Sequence, residues 1–389
     1  MTSYSKSLSC VLRSAKILKQ KVPVSNSINH ISSTDIKSKK NNPSFNNSLL
    51  DGFVFKSLDT KKNKVFKIIG ELAVGQNKKI KYKKNSCYRV STGGKIISPY
   101  DCMIPYEQVK IFNSKVIIKK SKSKNANVRL LGSDYKKNQI ILKKNNKISS
   151  SKILTIKSLA NKDVNVYQKP NLVLFCSGDE ITDKVINNDQ IINGIPEYIS
   201  SFKDKLNFNF NYLGIVKDNQ HSIKKIFNKI KNLKNTILIS TGGVSAGHKD
   251  FFPKFLKSKK YQILFHRILM RPGRPTLFAK KNSNYYFGLP GNPISTIVGF
   301  HFLITPLILK LQNQRLTLKQ EKIIHNYKKT KNLTLFLRGY KNKKGLKVLP
   351  GQDSYKLDSL TKANCWIKLD QKSNLIKKGS KVSYFDYEN

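Results

Sequence analysis

Hydrophobic residues repeat in two different ways along the chain. Between residues 43 and 134 they form short runs broken by turn residues, as in "FVFKSL", "VFKIIG" and "CYRVST". Short runs of this kind, with almost no helical periodicity, predict a small β domain. After residue 170, apolar runs alternate with segments of helical spacing. That alternation is typical of a doubly wound parallel sheet.

The second half contains four runs that we interpret as buried strands: "LVLFCS", "FNYLGIV", "TILIS" and "YYFGLP". Helices are predicted near residues 194–206, 220–232, 249–258 and 292–311. In a sheet of this class, ligands bind in the crevice beyond the carboxyl ends of the strands. The residues that follow each strand are therefore the first candidates for a functional site.

The pattern divides the chain into four predicted domains. A connector domain combines residues 1–42, which include the amphipathic segment "LSCVLRSAKIL", with residues 135–169. Residues 43–134 form a small β domain, and residues 170–316 form the α/β domain. Residues 317–389 return to short strands such as "CWIKLD", which predict a second small β domain.

The chain is strongly basic, with 74 Lys and Arg residues against 22 Asp and Glu residues and a net charge of +52. Such a charge suits a polyanion-binding protein. The alternative is a compositional drift toward Lys, Asn and Ile. Lysines occur singly or in pairs throughout, without a nucleic-acid-binding signature, and this distribution favours drift. We expect only non-specific binding of nucleic acid through charge.

The five cysteines form no CxxC motif and no Cys/His spacing typical of a metal site. We therefore expect reduced thiols in a cytoplasmic protein. We see no apolar run near 18 residues and expect no membrane-spanning helix. The acid-free N-terminus superficially resembles a transit peptide. Its periodicity favours an ordinary first helix instead.

The first candidate motif is "TILISTGGVSAGHKDFF", residues 236–252. A β-branched strand ends there in small polar residues. Gly242, Gly243 and Gly247 allow the backbone to approach a ligand closely, and the following helix would present free amides to an anion. Ser245 adds a hydroxyl donor. The motif is neither a P-loop nor a dinucleotide fingerprint, and a simple tight turn is the alternative.

The second motif is "FCSGDEI", residues 175–181, which follows another predicted strand. Ser177 and Gly178 begin a turn, and Asp179 and Glu180 place two acids at its tip. Acids are scarce in this chain, so an adjacent pair at a strand end suggests a magnesium ligand or a group that orients a hydroxyl. Helix capping is the alternative. Asp218 follows a further strand in the same way.

Two proline-containing loops come later in the α/β domain. In "RPGRP", Arg271 and Arg274 flank a rigid turn, and fixed guanidinium groups suit a phosphate or another oxyanion, although a surface turn explains the sequence equally well. In "LPGNPIS", Pro290 and Pro293 bracket a good helix start. Asp51, Thr92 and Asp134, in the first β region, look like ordinary turn residues when they are taken singly.

The order of these motifs resembles the MoeA family, which comprises the molybdopterin molybdenumtransferases and the related C-terminal domain of gephyrin. The resemblance runs from about residue 5 to the end and rests on this series: "SFNNSLLDGF", "RVSTGG", "NVRLLGSD", "CSGDEI", "LGIVKDN", "STGGVSAGHKDF", "MRPGRP", "GLPGNPIS" and "QDSYKLDSL".

The resemblance implies an α/β multidomain protein. It would have a doubly wound domain of the molybdopterin-binding fold, two small β domains and an elongated connector domain. It also implies a homodimer that inserts molybdate into adenylylated molybdopterin and releases AMP, with Mg²⁺ assisting. A molybdopterin adenylyltransferase would act upstream, and no membrane is involved. The alternatives are an adenylyltransferase or a scaffold protein of the same fold.

The resemblance also assigns roles to residues of this chain. The implied catalytic residues are Asp51, Thr92, Glu180, Asp218 and Asp250, and the last three would bind the metal ion. The implied substrate-binding residues are Ser177, Gly178, Asp179, Gly242, Gly243, Ser245, Gly247, Arg271, Arg274, Pro290, Pro293 and Asp134. The chain departs from the family's usual pattern at several positions. Asn46 stands where an acid is common, and Arg271 and Arg274 replace lysines.

Overall fold

The computed structural model describes residues 1–75, 80–178, 180–184, 190–217, 219–242, 251–329, 332–372 and 374–387. The helices of the described residues are α1 Tyr4–Ser14, α2 Ser57–Lys62, α3 Ser150–Ser158, α4 Ile195–Ser200, α5 Lys203–Leu206, α6 Gln220–Lys229, α7 Phe251–Ser258, α8 Pro293–Gly299, α9 Thr305–Leu311 and α10 Asp358–Lys362.

The strands of the described residues are β1 Thr2–Ser3, β2 Lys19–Pro23, β3 Ile36–Lys37, β4 Asn47–Ser48, β5 Gly52–Phe55, β6 Val65–Leu72, β7 Ser86–Val90, β8 Cys102–Pro105, β9 Val109–Phe112, β10 Lys115–Ile118, β11 Val128–Arg129, β12 Ile140–Leu142, β13 Asp163–Tyr167, β14 Asn171–Cys176, β15 Ile181–Thr182, β16 Ile191–Ile192, β17 Asn209–Ile215, β18 Thr236–Thr241, β19 Gln262–His266, β20 Ile268–Arg271, β21 Leu277–Lys281, β22 Asn284–Leu289, β23 Lys319–Lys322, β24 Tyr327–Lys328, β25 Thr334–Asn342, β26 Gly345–Val348, β27 Cys365–Leu369, β28 Leu375–Ile376 and β29 Lys381–Asp386.

The chain forms two compact units. The larger consists of Met1–Gln20, Asn29–Ile31 and Val166–Asn389, and the smaller of Lys21–Ile28 and Ser32–Asn165. Helix α1, which we assigned to a connector domain, belongs to the larger unit. The two units do not mark the four domain bounds given above, and those bounds stay a prediction.

The smaller unit is built around a six-stranded sheet in the order β8-β5-β7-β6-β10-β9. All neighbours are antiparallel except β6 and β7. Successive side chains of a strand point to opposite faces. Phe53 and Phe55 accordingly pack in one hydrophobic cluster and Val54 in another. This sheet confirms the small β domain predicted from the short runs.

The α/β domain of the larger unit has a six-stranded sheet in the order β17-β14-β18-β22-β21-β19. The first four strands are parallel, and β21 and β19 are antiparallel additions. Helices cover both faces. Leu172 and Leu174 face the cluster that contains α4, α8 and α9, whereas Val173 faces the cluster that contains α6. The doubly wound prediction is confirmed.

Side chains cap the starts of helices in the larger unit. Ser3 accepts a hydrogen bond from the Lys6 amide before α1, and Asn219 accepts one from the Ser222 amide before α6. Asn292 accepts one from the Ile294 amide before α8. Each cap satisfies one of the amides that the first helical turn leaves free, which explains why the helices begin where they do.

One helical segment, Pro293–Leu311, is long and apolar enough to span a membrane by length and composition. Our expectation that no apolar run of that length exists was therefore wrong. The segment consists of α8, a π-helical stretch at Phe300–Ile304 and α9. Because 89% of its apolar window is buried inside the protein, it is a core helix of the α/β domain.

The C-terminal strands form a sheet in the order β1-β20-β25-β27-β29-β23, with β26 beside β25. The sheet is thus completed by β1 from the N-terminus and by β20, which precedes the "RPGRP" loop. The short strands after residue 317 were predicted from their pattern. Their two additional partner strands were not.

Candidate active site

Strands β14, β18 and β22 lie side by side in the parallel sheet, and each ends in a turn that contains glycine. The Ser177 amide donates to the Thr241 carbonyl at 2.8 Å, and the Gly242 amide donates to the Leu289 carbonyl at 3.1 Å. These two bonds hold the three turns together. The structure therefore brings Ser177, Gly178, Gly242 and the "LPGNP" loop to the crevice where the fold class predicts a ligand.

Gly242 is required at this edge for two reasons. Its φ is 85°, in the region that side-chain-bearing residues rarely adopt. A Cβ atom would also collide with the Ser177 carbonyl oxygen. Gly291 lies close as well, since a Cβ atom there would sit 3.5 Å from the Gly242 Cα. The glycines thus permit backbone-to-backbone packing, which brings the turns together around the crevice.

Ser177 and Glu180 are two of the polar residues described at this edge. The Ser177 hydroxyl is buried and has no hydrogen-bond partner within the described part of the chain. The Glu180 carboxylate folds over Gly178, with its oxygens 2.9 and 3.0 Å from the position of a Gly178 Cβ. A hydroxyl that lacks a partner among the described residues can donate to a phosphate oxygen, and an exposed carboxylate can bind the counterion of that phosphate.

The "LPGNP" loop has the helix-capping geometry that we gave as one interpretation. The Asn292 side chain caps α8, and the Thr296 hydroxyl donates to the Pro290 carbonyl at 2.7 Å. Pro293 occupies the first turn of the helix. These bonds account for the sequence of the loop by themselves, and substrate binding by Pro290 and Pro293 stays a prediction.

In the smaller unit, Asp51 and Thr92 are hydrogen-bonded to each other. The Thr92 amide donates to Asp51 Oδ1 at 2.6 Å, and the Thr92 hydroxyl donates to the same oxygen at 3.0 Å. Two residues from separate turns thus form one exposed polar group. Asp134 has a different partner, because its carboxylate accepts from the Asn42 amide group at 2.7 Å.

Arg271 and Arg274 diverge. Arg271 lines a cavity of about 150 Å³ together with Tyr327, Lys328 and Asp353. Burial raises the pKa of the Tyr327 phenol, and the nearby positive charge of Arg271 opposes that shift. Arg274 instead donates to the sulfur of Met1 at 3.3 Å. The structure therefore places Arg271 in a cavity with a second cation, Lys328, whereas Arg274 contacts Met1.

Models of the MoeA family match most of the chain. The MoeA N-terminal region (domain I and II) matches residues 2–160, a probable molybdopterin binding domain matches residues 174–310, and the MoeA C-terminal region (domain IV) matches residues 325–387. The molybdopterin molybdenumtransferase of Haemophilus influenzae is 30% identical over 367 residues, which cover 91% of this chain and 90% of that protein.

This chain belongs to the MoeA family.

Further relatives agree with that membership. The molybdopterin molybdenumtransferase of Staphylococcus aureus strain N315 is 28% identical over 377 residues, covering 93% of this chain and 89% of that protein. A crystal structure of a molybdopterin biosynthesis MoeA protein from Pyrococcus horikoshii matches over the whole of both chains, with a TM-score of 0.80 and 22% identity. At that identity the likeness shows the fold alone.

Several predicted residues lie outside the described residues: Asp179, Asp218, Gly243, Ser245, Gly247 and Asp250. Of the three predicted metal ligands, only Glu180 is described. Among the described residues, no group of three or more His, Cys, Asp or Glu side chains could hold a metal ion. The three-carboxylate site therefore stays a prediction for this member of the MoeA family.

Tyr327 and Lys328, which line the cavity together with Arg271, were not predicted from the sequence. Neither residue belongs to a motif, and both lie more than 50 positions from Arg271 along the chain. The signal that could have found them is the short strand β24, whose two residues they are. A strand assignment alone does not place them beside Arg271, which lies in the region that matches the probable molybdopterin binding domain.

Proposed function

We propose that this chain is a molybdopterin molybdenumtransferase of molybdenum cofactor biosynthesis, which inserts molybdate into adenylylated molybdopterin and releases AMP. The observation that carries the proposal is that this chain matches 90% of the molybdopterin molybdenumtransferase of Haemophilus influenzae. The N-terminal, molybdopterin-binding and C-terminal regions of the family are all matched. An adenylyltransferase would need only the middle region, so the full-length match favours the transferase over that alternative.

The crevice supports binding of the phosphate groups. Gly178 and Gly242 let the turns pack closely at the crevice. The Ser177 hydroxyl, which has no partner among the described residues, would donate a hydrogen bond to an oxyanion bound there. Breaking a phosphoanhydride requires charge neutralisation and positioning more than a covalent nucleophile. Mg²⁺ would supply that neutralisation when bound, and we assign Glu180, Asp218 and Asp250 as its ligands.

The Arg271 cavity supports binding of molybdate as a substrate. Molybdate is a small tetrahedral dianion, and Arg271 and Lys328 place two positive charges at a cavity of matching scale. Arg271 contributes a planar fork of donors, whereas Lys328 contributes a point charge. Asp353 also lines this cavity, and it limits the net positive charge that an anion would meet.

We propose Asp51 as a catalytic acid and Thr92 as a residue that supports it. The two bonds from Thr92 fix the orientation of the Asp51 carboxylate. We further propose a homodimer, a cytoplasmic location, an upstream molybdopterin adenylyltransferase as the source of substrate, and no membrane association. Nucleic acid would bind only non-specifically through the positive charge.

The test is release of AMP by the purified protein from adenylylated molybdopterin in the presence of Mg²⁺ and molybdate. Asp51→Asn and Glu180→Gln should each reduce kcat by about 10²-fold, since each removes a charge that acts on the reacting groups. Asp358→Asn is the matched control, because Asp358 forms an exposed ion pair with Lys362 at 2.9 Å.

The alternatives make different predictions in the same assay. An adenylyltransferase would consume ATP with molybdopterin that is not yet adenylylated. A scaffold protein would bind molybdopterin and release no AMP from either mixture. Either result would refute the proposal.

A further inference from the structure

Three side chains form a hydrogen-bonded cluster beside the segment that carries Glu180. The Tyr212 hydroxyl donates to both carboxylate oxygens of Asp183, at 2.8 and 2.9 Å. The Asn193 amide nitrogen lies 3.1 Å from the same carboxylate and 3.0 Å from the Tyr212 oxygen. We call Asp183, Asn193 and Tyr212 the polar clasp.

The polar clasp joins four separate stretches of chain between residues 176 and 212. Asp183 directly follows β15, and Asn193 directly follows β16. Tyr212 lies in β17, at the edge of the α/β sheet. The Asn193 nitrogen also lies 3.3 Å from the sulfur of Cys176, the last residue of β14. Through these bonds, the two short strands are tied to the edge of the main sheet.

Glu180 depends on the same two short strands for its position. The Ile191 amide donates to the Glu180 carbonyl at 2.8 Å, and the Asn193 amide donates to the Thr182 carbonyl at 2.9 Å. Strands β15 and β16 are two residues long, and among the described residues they pair with each other alone. A pair this short is not stable alone, so contacts to the rest of the domain must hold it.

The chemistry of the polar clasp suits such a restraint. Burial raises the pKa of Tyr212, and its hydrogen bond to Asp183 raises it further. Tyr212 therefore remains a protonated donor at neutral pH. Hydrogen bonds to a carboxylate are shorter and stronger than neutral ones. Asn193 contributes both its side chain and its backbone amide, and this makes it the centre of the cluster.

We propose that Asp183, Asn193 and Tyr212 are positioning residues that hold Glu180 at the crevice. This inference rests on the proposed function, since it assigns the polar clasp a role in the same reaction. None of the three is expected to touch the substrate. Their effect reaches the reaction through the backbone of residues 180–182 and the carboxylate of Glu180.

The decisive comparison is between Asn193→Asp and the double variant Asp183→Asn with Asn193→Asp. The single variant places two carboxylates about 3 Å apart, and their repulsion opens the polar clasp. The double variant exchanges the two groups and restores one carboxylate and one amide, with Tyr212 still able to donate. Rescue by this exchange would not occur if each residue acted separately.

We expect Asn193→Asp to lower kcat for AMP release by at least about tenfold, as is common when a residue that orients a catalytic ligand is lost. KM should change much less, because binding of the substrate does not involve the polar clasp. The double variant should recover most of kcat. Hydrogen–deuterium exchange of residues 180–184 should accelerate in the single variant and return toward the wild-type rate in the double variant.

Two further variants complete the design. Tyr212→Phe removes one hydroxyl without adding charge, and it replaces Asn193→Asp if that variant fails to fold. Tyr285→Phe is its matched control, because the Tyr285 hydroxyl accepts from the Lys16 amide at 2.7 Å, at the opposite end of the strands. Only Tyr212→Phe should accelerate exchange at residues 180–184.

The proposal is overturned if the single variants of the polar clasp leave both kcat and the hydrogen–deuterium exchange rate of residues 180–184 at wild-type values. It is also overturned if the double variant Asp183→Asn with Asn193→Asp restores neither quantity. Failure of the proposed function gives a different result. In that case the wild-type chain releases no AMP, while the exchange measurement still reports whether the polar clasp restrains residues 180–184.

Discussion

Ser177 has a hydroxyl group that we expect to lower the stability of the fold rather than add to it. It is buried, and no described residue pairs with it. A buried hydroxyl that lacks a partner costs about 1–3 kcal/mol. Such a group is consistent with a ligand that supplies the missing hydrogen bond, and it can be tested separately from the stability of the fold.

Ser177→Ala should therefore leave the free energy of unfolding unchanged or raise it by up to about 1 kcal/mol. KM for adenylylated molybdopterin should rise about tenfold, because a hydrogen bond to a charged group contributes about 1.5–3 kcal/mol. Urea unfolding and AMP-release kinetics measure the two effects. Ser240→Ala is the control, since the buried Ser240 hydroxyl bonds the Tyr286 hydroxyl at 2.6 Å and its loss should destabilise the chain.

Gly242 is needed for both its φ and its close packing, and a pair of variants separates these causes. The φ of Gly242 is 85°, and the methyl group added by Gly242→Ala would collide with the Ser177 carbonyl oxygen. The φ of Gly379 is 84°, and the methyl group added by Gly379→Ala would have no atom within 4 Å. Gly379→Ala should lower the free energy of unfolding by about 1–2 kcal/mol, because alanine disfavours a positive φ. Gly242→Ala should lower it by clearly more, because the collision adds to the same backbone cost. If urea unfolding gave the same loss of free energy for both variants, the close packing of Gly242 against the Ser177 carbonyl would be unimportant for stability.

At the level of elements, the helix Pro293–Leu311 places a histidine in the core. His301 lies in the π-helical stretch, is 1% exposed, and its Nε2 is 2.7 Å from the Tyr198 hydroxyl oxygen. Burial, together with the charge of Lys205, lowers its pKa from 6.5 to about 3. The folded chain therefore keeps this ring neutral through most of the acidic range.

The contribution of His301 to stability is complete above pH 6.5 and is lost as the pH falls toward 3. In that window the unfolded chain binds a proton that the folded chain does not. His301→Gln should make the fall in unfolding free energy shallower by about 1.4 kcal/mol per pH unit. Unfolding between pH 6.5 and 4 tests this, with the exposed His221→Gln as control. An unchanged slope would contradict a neutral buried ring.

The C-terminal sheet shows what local patterns leave open at the level of elements. Its strands after residue 317 were recognisable from their composition. The addition of β1 and β20 was not, because both are short and lie far away along the chain. Alternation in a strand identifies the face that is buried, but it does not identify the neighbouring strand.

For the whole molecule, the net charge of +52 is the dominant feature. We predict that unrelated oligonucleotides bind equally at 50 mM salt and lose about a thousandfold in affinity by 200 mM, because binding would come from counterion release. Fluorescence anisotropy with two sequences measures both properties. A preference for one sequence that persists at high salt would indicate a dedicated nucleic-acid function and contradict compositional drift.

The proposed homodimer is also a property of the whole molecule. Light scattering should give about twice the mass of the 44.4 kDa chain. The measurement belongs at moderate salt, where repulsion between highly charged subunits is screened. A monomeric mass at the concentrations used in the AMP assay would refute the homodimer proposal without affecting the family assignment.

Residue patterns along the chain were enough to predict the types of the elements, the glycines at the strand ends and the order of motifs that marks the MoeA family. These features depend on residues close together in the chain, where periodicity and turn chemistry act. The fold, rather than any local pattern, decided that Asp51 accepts from Thr92, that Arg271 shares a cavity with Lys328, and that Asp183, Asn193 and Tyr212 form one hydrogen-bonded cluster. Each of these contacts joins separate segments whose relative positions are fixed by packing.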